Sequence, residues 1–217
     1  MCYRYTLQKR ESLGAYEKNL TSAPEDWVPH YNVALTTRMP VIVWETKPVV
    51  RDLAFGFTLP PRTPGERPLL LANSRADTLL AKPAFGDATE HRRCLVPADG
   101  FFEWEKQGTD RLPHSFYLRE HQPFFFAGIW QPANEHSPEG FSIVTTTPNA
   151  LLQPIHDRMP VILGPNSGPL WLGNQPLDPA LLTKLCRPLP PEMMSSHRVN
   201  ARMNHARYQA PDCIEVI

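Results

Sequence analysis

The sequence predicts a single α+β domain over residues 1–217, with a mixed, barrel-like β-sheet core and a few flanking helices. A length of 217 residues is enough for one domain with a substantial core. Many short apolar runs have the length and composition of strands, whereas few segments show helical spacing. The 25 prolines are scattered along the chain, which is typical of many short strands joined by fixed loops. From about residue 205 onward we expect a peripheral tail.

The predicted strands are rich in β-branched and aromatic residues and are bounded by turn-forming residues. Such runs recur along most of the chain, so the sheet is expected to dominate the fold. They lie at 40–45, 53–57, 93–98, 101–105, 115–120, 124–130, 141–147 and 159–164.

Helical candidates are fewer, and they lie at 11–20, 76–85 and 177–186. In the third of these, Asp178 can cap the helix and Pro179 suits its first position. The second candidate is short and is interrupted by Pro83. The helices are therefore expected to flank the sheet.

Charge and composition exclude several classes of protein. The formal net charge is zero, so no global field draws the chain to nucleic acid or membrane. The first thirty residues contain no apolar signal region and no run of 18 apolar residues occurs anywhere, which predicts a cytoplasmic protein without a membrane segment. The four cysteines form no C-x-x-C pair, and no nucleotide-phosphate loop is present, so no metal and no cofactor are predicted.

Cys2 follows the initiator methionine directly, and this position allows one unusual chemistry. If Met1 is removed, Cys2 carries an α-amine and a thiol on adjacent carbons. Their reference pKa values, about 7.7–8.0 and about 8.5, leave reactive forms of both near neutral pH. A 1,2-aminothiol condenses with an aldehyde to a Schiff base, and the thiol then closes a thiazolidine ring. The ordinary alternative is a frayed terminus with no role.

Two further segments place polar residues where the pattern otherwise indicates buried structure. The apolar run at 69–72 breaks into Asn73, Ser74, Arg75 and Asp77, which is also compatible with a strand leading into a helix cap. The second segment is RCLVPADGFFEWE at 93–105, in which a turn is predicted at 97–100.

Glu103 follows that turn inside an aromatic run. A carboxyl group between Phe102 and Trp104 is expected to be partly desolvated, which would raise its pKa toward acid–base duty. Glu105 shares its strand face, and one of the two glutamates is expected to be simply solvated.

A third polar interruption stands at 155–163, where His156 and Arg158 precede a return to the core. A lone histidine in such a setting is often only a structural imidazole. It can also donate or accept a proton near neutral pH.

Taken together, these segments resemble the SRAP (SOS-response-associated peptidase) family. The matching segments run in order through nearly the whole domain, and the second and third internal motifs are long and specific. They are "MC" at the start with Arg4, "NSRAD" at 73–77, "RCLVPADGFFEW" at 93–104, "IHDRMPVIL" at 155–163 and, more weakly, "SSHRVNA" at 195–201.

The resemblance implies covalent crosslinking to abasic sites in single-stranded DNA, with strand junctions as possible targets. Cys2 would form the thiazolidine with the ring-opened sugar, a reaction of the lyase type that is in principle reversible. Glu103 would shuttle protons, His156 would protonate the ring oxygen, and Asn73 would fix the N-terminal backbone or the sugar.

DNA recognition by the same resemblance would fall to a local basic groove. Arg4, Arg75 and Arg158 are the expected phosphate ligands, and Trp104 is the expected stacking surface. We expect a monomer, no metal and no cofactor.

Two alternatives stay open on sequence. Cys2, His156 and Glu103 have the residue types of a cysteine peptidase that removes Met1 from its own chain. A non-catalytic reader of damaged DNA would use the same groove without forming any bond.

Overall fold

Short strands joined by tight turns build most of the computed structural model, which describes residues 2–19, 27–61, 63, 65–135, 137–173 and 175–217. The strands β1–β15 are Tyr5–Leu7, His30–Val33, Arg38–Trp44, Pro48–Phe55, Phe57–Leu59, Leu69–Leu71, Asn73–Arg75, Arg93–Ala98, Gly100–Gln107, Asp110–Leu118, Phe124–Gln131, Gly140–Thr146, Met159–Pro160, Ile162–Leu163 and Met194–Arg198. The helices α1–α3 are Pro83–His91, Gly168–Trp171 and Pro179–Leu185. Short 3₁₀ helices lie at Arg10–Asn19, Ala76–Thr78, Arg119–His121, Pro191–Met193, Ala201–Asn204 and Pro211–Ile214.

Two main sheets carry the fold. The first has the order β15-β10-β9-β1-β2 and is antiparallel throughout. The second has the order β13-β12-β4-β3-β8-β11-β14, with β7 added beside β12. Because β12 pairs with both β4 and β11, this second sheet closes on itself into a ring. The second sheet is mixed, because β12 runs parallel to β4 and β7 and antiparallel to its other partners. The predicted α+β class with a barrel-like sheet is thus confirmed.

Successive side chains of the ring strands point to opposite faces and belong to two different apolar clusters. In β3, Val41 and Val43 join the cluster shared with the five-stranded sheet, whereas Ile42 faces the helices. Leu95 in β8 likewise points to the helix side, where Trp171 of α2 packs. Successive strand residues point to opposite faces, so each ring strand serves both clusters.

The chain passes from the ring to the five-stranded sheet at Asp99, the single residue between β8 and β9. The predicted turn at 97–100 is therefore not a hairpin, because β8 belongs to the ring and β9 to the five-stranded sheet. The Asp99 carboxylate accepts hydrogen bonds from the Thr6 hydroxyl and, at 2.6 Å, from the Gln8 backbone N–H. A side chain at Gly100 would meet Thr6 Oγ1 at 3.0 Å and the Phe116 carbonyl at 3.2 Å, so glycine suits this crossing.

The helices differ from their predictions for reasons of backbone chemistry. Pro83 does not interrupt a helix but begins α1, because proline is tolerated in the first turn. The segment predicted as a helix at 11–20 is instead the 3₁₀ helix Arg10–Asn19, broken at Gly14 where φ is 56°. The cap prediction is confirmed, since Asp178 accepts from the backbone N–H groups of Ala180 and Leu181. Within the described ranges, no helix is long and apolar enough to cross a membrane.

The C-terminal segment, predicted as a peripheral tail, is mostly exposed but is hydrogen-bonded to the five-stranded sheet. Asn32 of β2 is fully buried, and its amide nitrogen donates to the carbonyls of Met203, His205 and Tyr208. The Gln209 side chain pairs with both backbone groups of Asn32, at 3.1 and 2.6 Å. These bonds satisfy a buried amide, which would be costly to leave unpaired, and so fix the segment to the sheet.

Arg93 of β8 hydrogen-bonds the helices α1 and α2 to the ring. Its side chain is 2% exposed, and burial lowers the pKa of Arg93 to about 10. The guanidinium donates to four carbonyls, those of Thr89, Glu90, Trp171 and Gln175, at 2.6–2.8 Å. Two of these carbonyls lie in the last turn of α1, where helix carbonyls lack partners.

Arg93→Met is expected to lower the free energy of unfolding by about 3 kcal/mol, because four buried carbonyls would lose their donor. Urea unfolding followed by circular dichroism measures the change. Arg187→Met, at an exposed position, is the matched control and should leave the midpoint nearly unchanged. Equal midpoints for the two variants would contradict the role given to Arg93.

Candidate active site

A cleft of about 840 Å³ lies where the N-terminal residues, the β9–β10 hairpin, the turn before β13 and the C-terminal segment meet. Both polar and apolar groups line it. The lining residues are Tyr3, Glu103, Trp104, Lys106, Arg111, Pro154, Ile155, His156, Asp157 and Asn204.

Cys2 lies fully buried just before β1. Its carbonyl accepts a hydrogen bond from Asn73 Nδ2 at 3.0 Å, and its Sγ lies 3.7 Å from the Arg4 carbonyl. Asn73 reaches Cys2 because β7 adds to the ring beside β12, in register with Ile143. Asn73 Oδ1 is buried without a hydrogen-bond partner, so it remains available as an acceptor.

Glu103 on β9 is 1% exposed. Burial raises the pKa of Glu103 from 4.5 to about 7; the N-terminal amine opposes this shift by its charge and a hydrogen bond, and the negative charge of Asp157 adds to it. Burial also raises the pKa of the Cys2 thiol, and the Glu103 charge raises it further, while the N-terminal amine acts in the opposite direction. The thiol is therefore held protonated beside a carboxyl group that can gain or lose a proton near neutral pH.

His156 stands in the turn that precedes β13. Its Nδ1 accepts the Arg158 backbone N–H at 3.0 Å and also lies 3.0 Å from Asp157 Oδ1. Burial lowers the pKa of His156, and the positive charges of the N-terminal amine and, least, of Lys106 act in the same direction, while Asp157 opposes them. A neutral ring that accepts through Nδ1 carries its proton on Nε2, whereas protonation of Nδ1 would turn that nitrogen toward Asp157.

Trp104 forms a wall of the cleft. Its Nε1 donates to Asn204 Oδ1 at 2.6 Å, which fixes the ring against the C-terminal segment. Arg4 does not line the cleft; its Nη1 donates to Asn32 Oδ1 at 3.0 Å and to the Met203 carbonyl at 3.3 Å. These bonds fix the Arg4 side chain between β2 and the C-terminal segment, and a phosphate contact by Arg4 stays a prediction.

Arg75 and Arg158 share Asp77 but differ in exposure. Arg75 is exposed and pairs with Asp77 through two hydrogen bonds, at 3.2 and 2.8 Å. Arg158 is only 8% exposed, and its Nη2 donates to the Thr145 carbonyl at 2.7 Å. Arg75 is exposed to solvent, whereas Arg158 is largely buried and its Nε has no hydrogen-bond partner, so a phosphate contact by either stays a prediction.

The structure brings Cys2, Asn73, Glu103 and His156 to one region, as the motifs predicted. It also places residues there that sequence reasoning missed: Tyr3, Lys106, Arg111, Asp157 and Asn204. For Lys106 and Arg111 a signal did exist, since they flank a turn with Gly108 directly after the Glu103 motif. Nothing local could have placed Asn204, which is far away in the chain.

A metal site does not form in this region. In the part of the chain that the structure describes, no three His, Cys, Asp or Glu side chains come together in a group that could hold a metal ion.

Fold and cleft together define a class: a domain with a closed mixed sheet, in which a cysteine near the N-terminus is held beside an amide, a buried carboxyl group and an imidazole. Residues 1–206 match the family described as SOS response associated peptidase (SRAP), and the chain belongs to that family.

Two bacterial relatives are similar over nearly their full lengths. The abasic site processing protein YoqW of Bacillus subtilis is 32% identical, over 99% of both chains. The abasic site processing protein YedK of Escherichia coli is 29% identical, over 100% of both. A crystal structure of a Bacteroides thetaiotaomicron protein superposes with a TM-score of 0.79 at 23% identity, over 100% of both chains, and so shares the fold.

The raised pKa of Glu103 makes the stability depend on pH. In the unfolded chain Glu103 ionises near 4.5 and in the folded chain near 7, so the unfolded state loses its proton first. The contribution of Glu103 to the free energy of unfolding therefore falls as pH rises from about 4.5 to about 7 and is constant above that. We expect a total loss of about 3 kcal/mol.

Glu103→Gln should abolish this part of the pH dependence, measured by urea unfolding between pH 4 and pH 8. Glu105→Gln is the matched control, because that side chain is 40% exposed. A carboxyl ¹³C NMR titration reports the pKa of Glu103 directly. A midpoint near 4.5 would contradict the assigned burial effect.

Proposed function

We propose that this protein processes abasic sites by forming a covalent thiazolidine crosslink between Cys2 and the aldehyde of the ring-opened deoxyribose. One observation carries the proposal: Cys2 is held by Asn73 beside Glu103, whose pKa is about 7. The names of YoqW and YedK, abasic site processing proteins, support the substrate class.

The reaction begins once Met1 is removed and the α-amine of Cys2 is free. The amine nitrogen attacks C1′ of the aldehyde and gives a carbinolamine. Loss of water from the carbinolamine gives a Schiff base. The thiol sulfur then adds to C1′ while its proton passes to nitrogen, so that amine, thiol and aldehyde give a thiazolidine and one water. All steps are reversible.

Glu103 is suited to move the protons of this sequence. A group with a pKa of about 7 is present in both forms at neutral pH, so it can take a proton from the attacking amine and return one to the departing hydroxyl. The same carboxylate can accept the proton of the neighbouring thiol when sulfur attacks. Asn73 Oδ1 is a ready acceptor for the Cys2 amine or a sugar hydroxyl.

His156 would then act as a neutral hydrogen-bond donor and not as a charged general acid. Since the pKa of His156 is lowered, the free protein holds it mainly neutral, with the ring proton on Nε2. That proton can be donated as a hydrogen bond to O4′ as the furanose opens. DNA would enter along Trp104, with Arg75 as a phosphate ligand.

The pKa shifts of Cys2 and His156 disfavour the peptidase alternative. A cysteine peptidase needs a thiolate beside an imidazolium, which requires a lowered thiol pKa and a raised imidazole pKa. Here burial shifts the pKa of Cys2 upward and that of His156 downward. The aminothiol condensation needs no imidazolium, because Glu103 can accept the thiol proton as sulfur attacks.

The central test mixes purified protein with a single-stranded oligonucleotide that carries one abasic site. A band that survives boiling in SDS is expected, because a thiazolidine is a covalent link. Intact mass spectrometry confirms in the same sample that Met1 is absent. Cys2→Ala should give no band, and an oligonucleotide with intact bases should give none with either protein.

Cys2→Ser separates the two bonds of the adduct. Serine keeps the α-amine, so we expect a Schiff base that is lost on boiling unless borohydride reduces it. No crosslink from protein with a free Cys2 amine would exclude the proposal. Unchanged DNA binding by Cys2→Ala in that case would favour the non-catalytic reader.

Glu103→Gln should slow crosslinking by about 10²-fold, because the amide cannot exchange a proton. Its affinity for single-stranded DNA with intact bases should stay within about twofold of the parent, since only one buried group changes. Single-turnover gels measure the rate, and fluorescence anisotropy measures the affinity. Glu105→Gln is the matched control. If Glu103→Gln crosslinks at the parental rate, Glu103 has no role in the mechanism.

A further inference from the structure

We propose that Lys106 and Arg111 form a phosphate-binding site that holds the DNA backbone of a nucleotide next to the abasic sugar. Lys106 lies on β9 and Arg111 on β10, and both line the cleft that contains Glu103 and His156. The identity of the ligand rests on the proposed function, whereas the existence of an anion site rests on the geometry alone.

The two cations are held directly opposite each other. Lys106 and Arg111 are register partners in the antiparallel β9–β10 pair, and such partners have Cβ atoms about 4.5–5.5 Å apart. The turn between the strands contains Gly108, whose φ of 61° is readily adopted only by glycine, so the hairpin tip is tightly built. The two side chains are thus presented as a pair.

The pair lacks an acidic partner within the described ranges. Both side chains are exposed, and no carboxylate forms an ion pair with either of them. Like charges directly opposite each other in a sheet are destabilising. An anion between them would remove that repulsion, and a guanidinium beside an ammonium suits a phosphate, which accepts several charged hydrogen bonds.

The surroundings of the pair select a nucleic acid backbone over other anions. Trp104 lies two residues before Lys106 on β9, so both side chains leave the same face of the strand. Its ring is fixed by the hydrogen bond to Asn204. A base stacked on Trp104 would place its phosphate at the hairpin, which is the combination of aromatic surface and cation that single strands require.

A bound phosphate would also act on His156. The groups that face this ring are the N-terminal amine, Lys106 from β9, Asp157 and the Arg158 backbone N–H on its own turn, and Glu103 across the cleft. Lys106 lowers the pKa of His156 in the free protein. Phosphate neutralises that charge, so DNA binding should make the imidazole easier to protonate at the moment when the sugar arrives.

The first test is the binding of a fluorescein-labelled oligothymidine, which has intact bases, across a salt series. The double variant Lys106→Gln/Arg111→Gln should bind about tenfold more weakly, and the slope of log K against log salt should shrink by about 0.7 for one lost phosphate contact. The matched control, Lys184→Gln/Arg187→Gln, removes the same charge outside the cleft and should bind like the parent. Parental affinity and slope in the first variant would overturn the site.

This readout is independent of the crosslink. If the parent fails to crosslink abasic DNA but the double variant still loses affinity for oligothymidine, the proposed function fails and the phosphate site stands. If the parent crosslinks and the double variant binds normally, the phosphate site fails and the proposed function stands.

The second test is an NMR titration of the His156 ring. Lys106→Gln should raise the pKa of His156 in the free protein, and oligothymidine should raise it in the parent but not in the double variant. Inorganic phosphate at the same concentration should have little effect, since it lacks the stacked base. An equal response to inorganic phosphate would show a free-anion site instead, and no response to either would overturn the proposal.

Discussion

The hydrogen bonds of Asp99 are the constraint on which the site depends. Asp99 stands where the chain leaves the ring and enters the five-stranded sheet, and it binds the Thr6 hydroxyl and the Gln8 backbone from there. Its own N–H donates to the Thr6 carbonyl at 3.1 Å. β1 is thereby fixed at the start of β9, which brings Cys2, just before β1, beside Glu103. Without this crossing the first residues of the chain would have no defined relation to the carboxyl group they need.

Burial then adjusts the chemistry of the groups that the crossing brings together. The same desolvation raises the pKa of Glu103 and of the Cys2 thiol and lowers that of His156, so each group is shifted toward its neutral form. A set of neutral groups avoids the cost of unpaired charge in a buried site. It also suits the proposed condensation, in which the neutral amine attacks first and Glu103 can accept the thiol proton before sulfur attacks.

How far the sequence could predict this structure depends on the range of the interactions. β8 at 93–98 and the Asp178 cap were predicted correctly, because apolar runs and caps are encoded in adjacent residues. The strands Tyr5–Leu7, His30–Val33 and Met194–Arg198 were missed, since each is short and is stabilised by its sheet neighbours. The motifs predicted which residues gather around Cys2. They could not show that Lys106 faces His156, because that follows from the pairing of β9 and β10 and from the turn before β13.

Arg4 illustrates how such long-range contacts assign a role that a motif leaves open. Its backbone carbonyl lies 3.7 Å from the Cys2 sulfur and accepts the Phe102 N–H at 3.0 Å, so it joins the N-terminus to β9. Its side chain holds Asn32 and the carbonyls at the end of the chain, including that of Asn204, which in turn fixes Trp104. One residue thus links the Cys2 thiol to the Trp104 wall of the cleft. An arginine is needed there because only a guanidinium offers enough donors, in fixed directions, to reach these acceptors together.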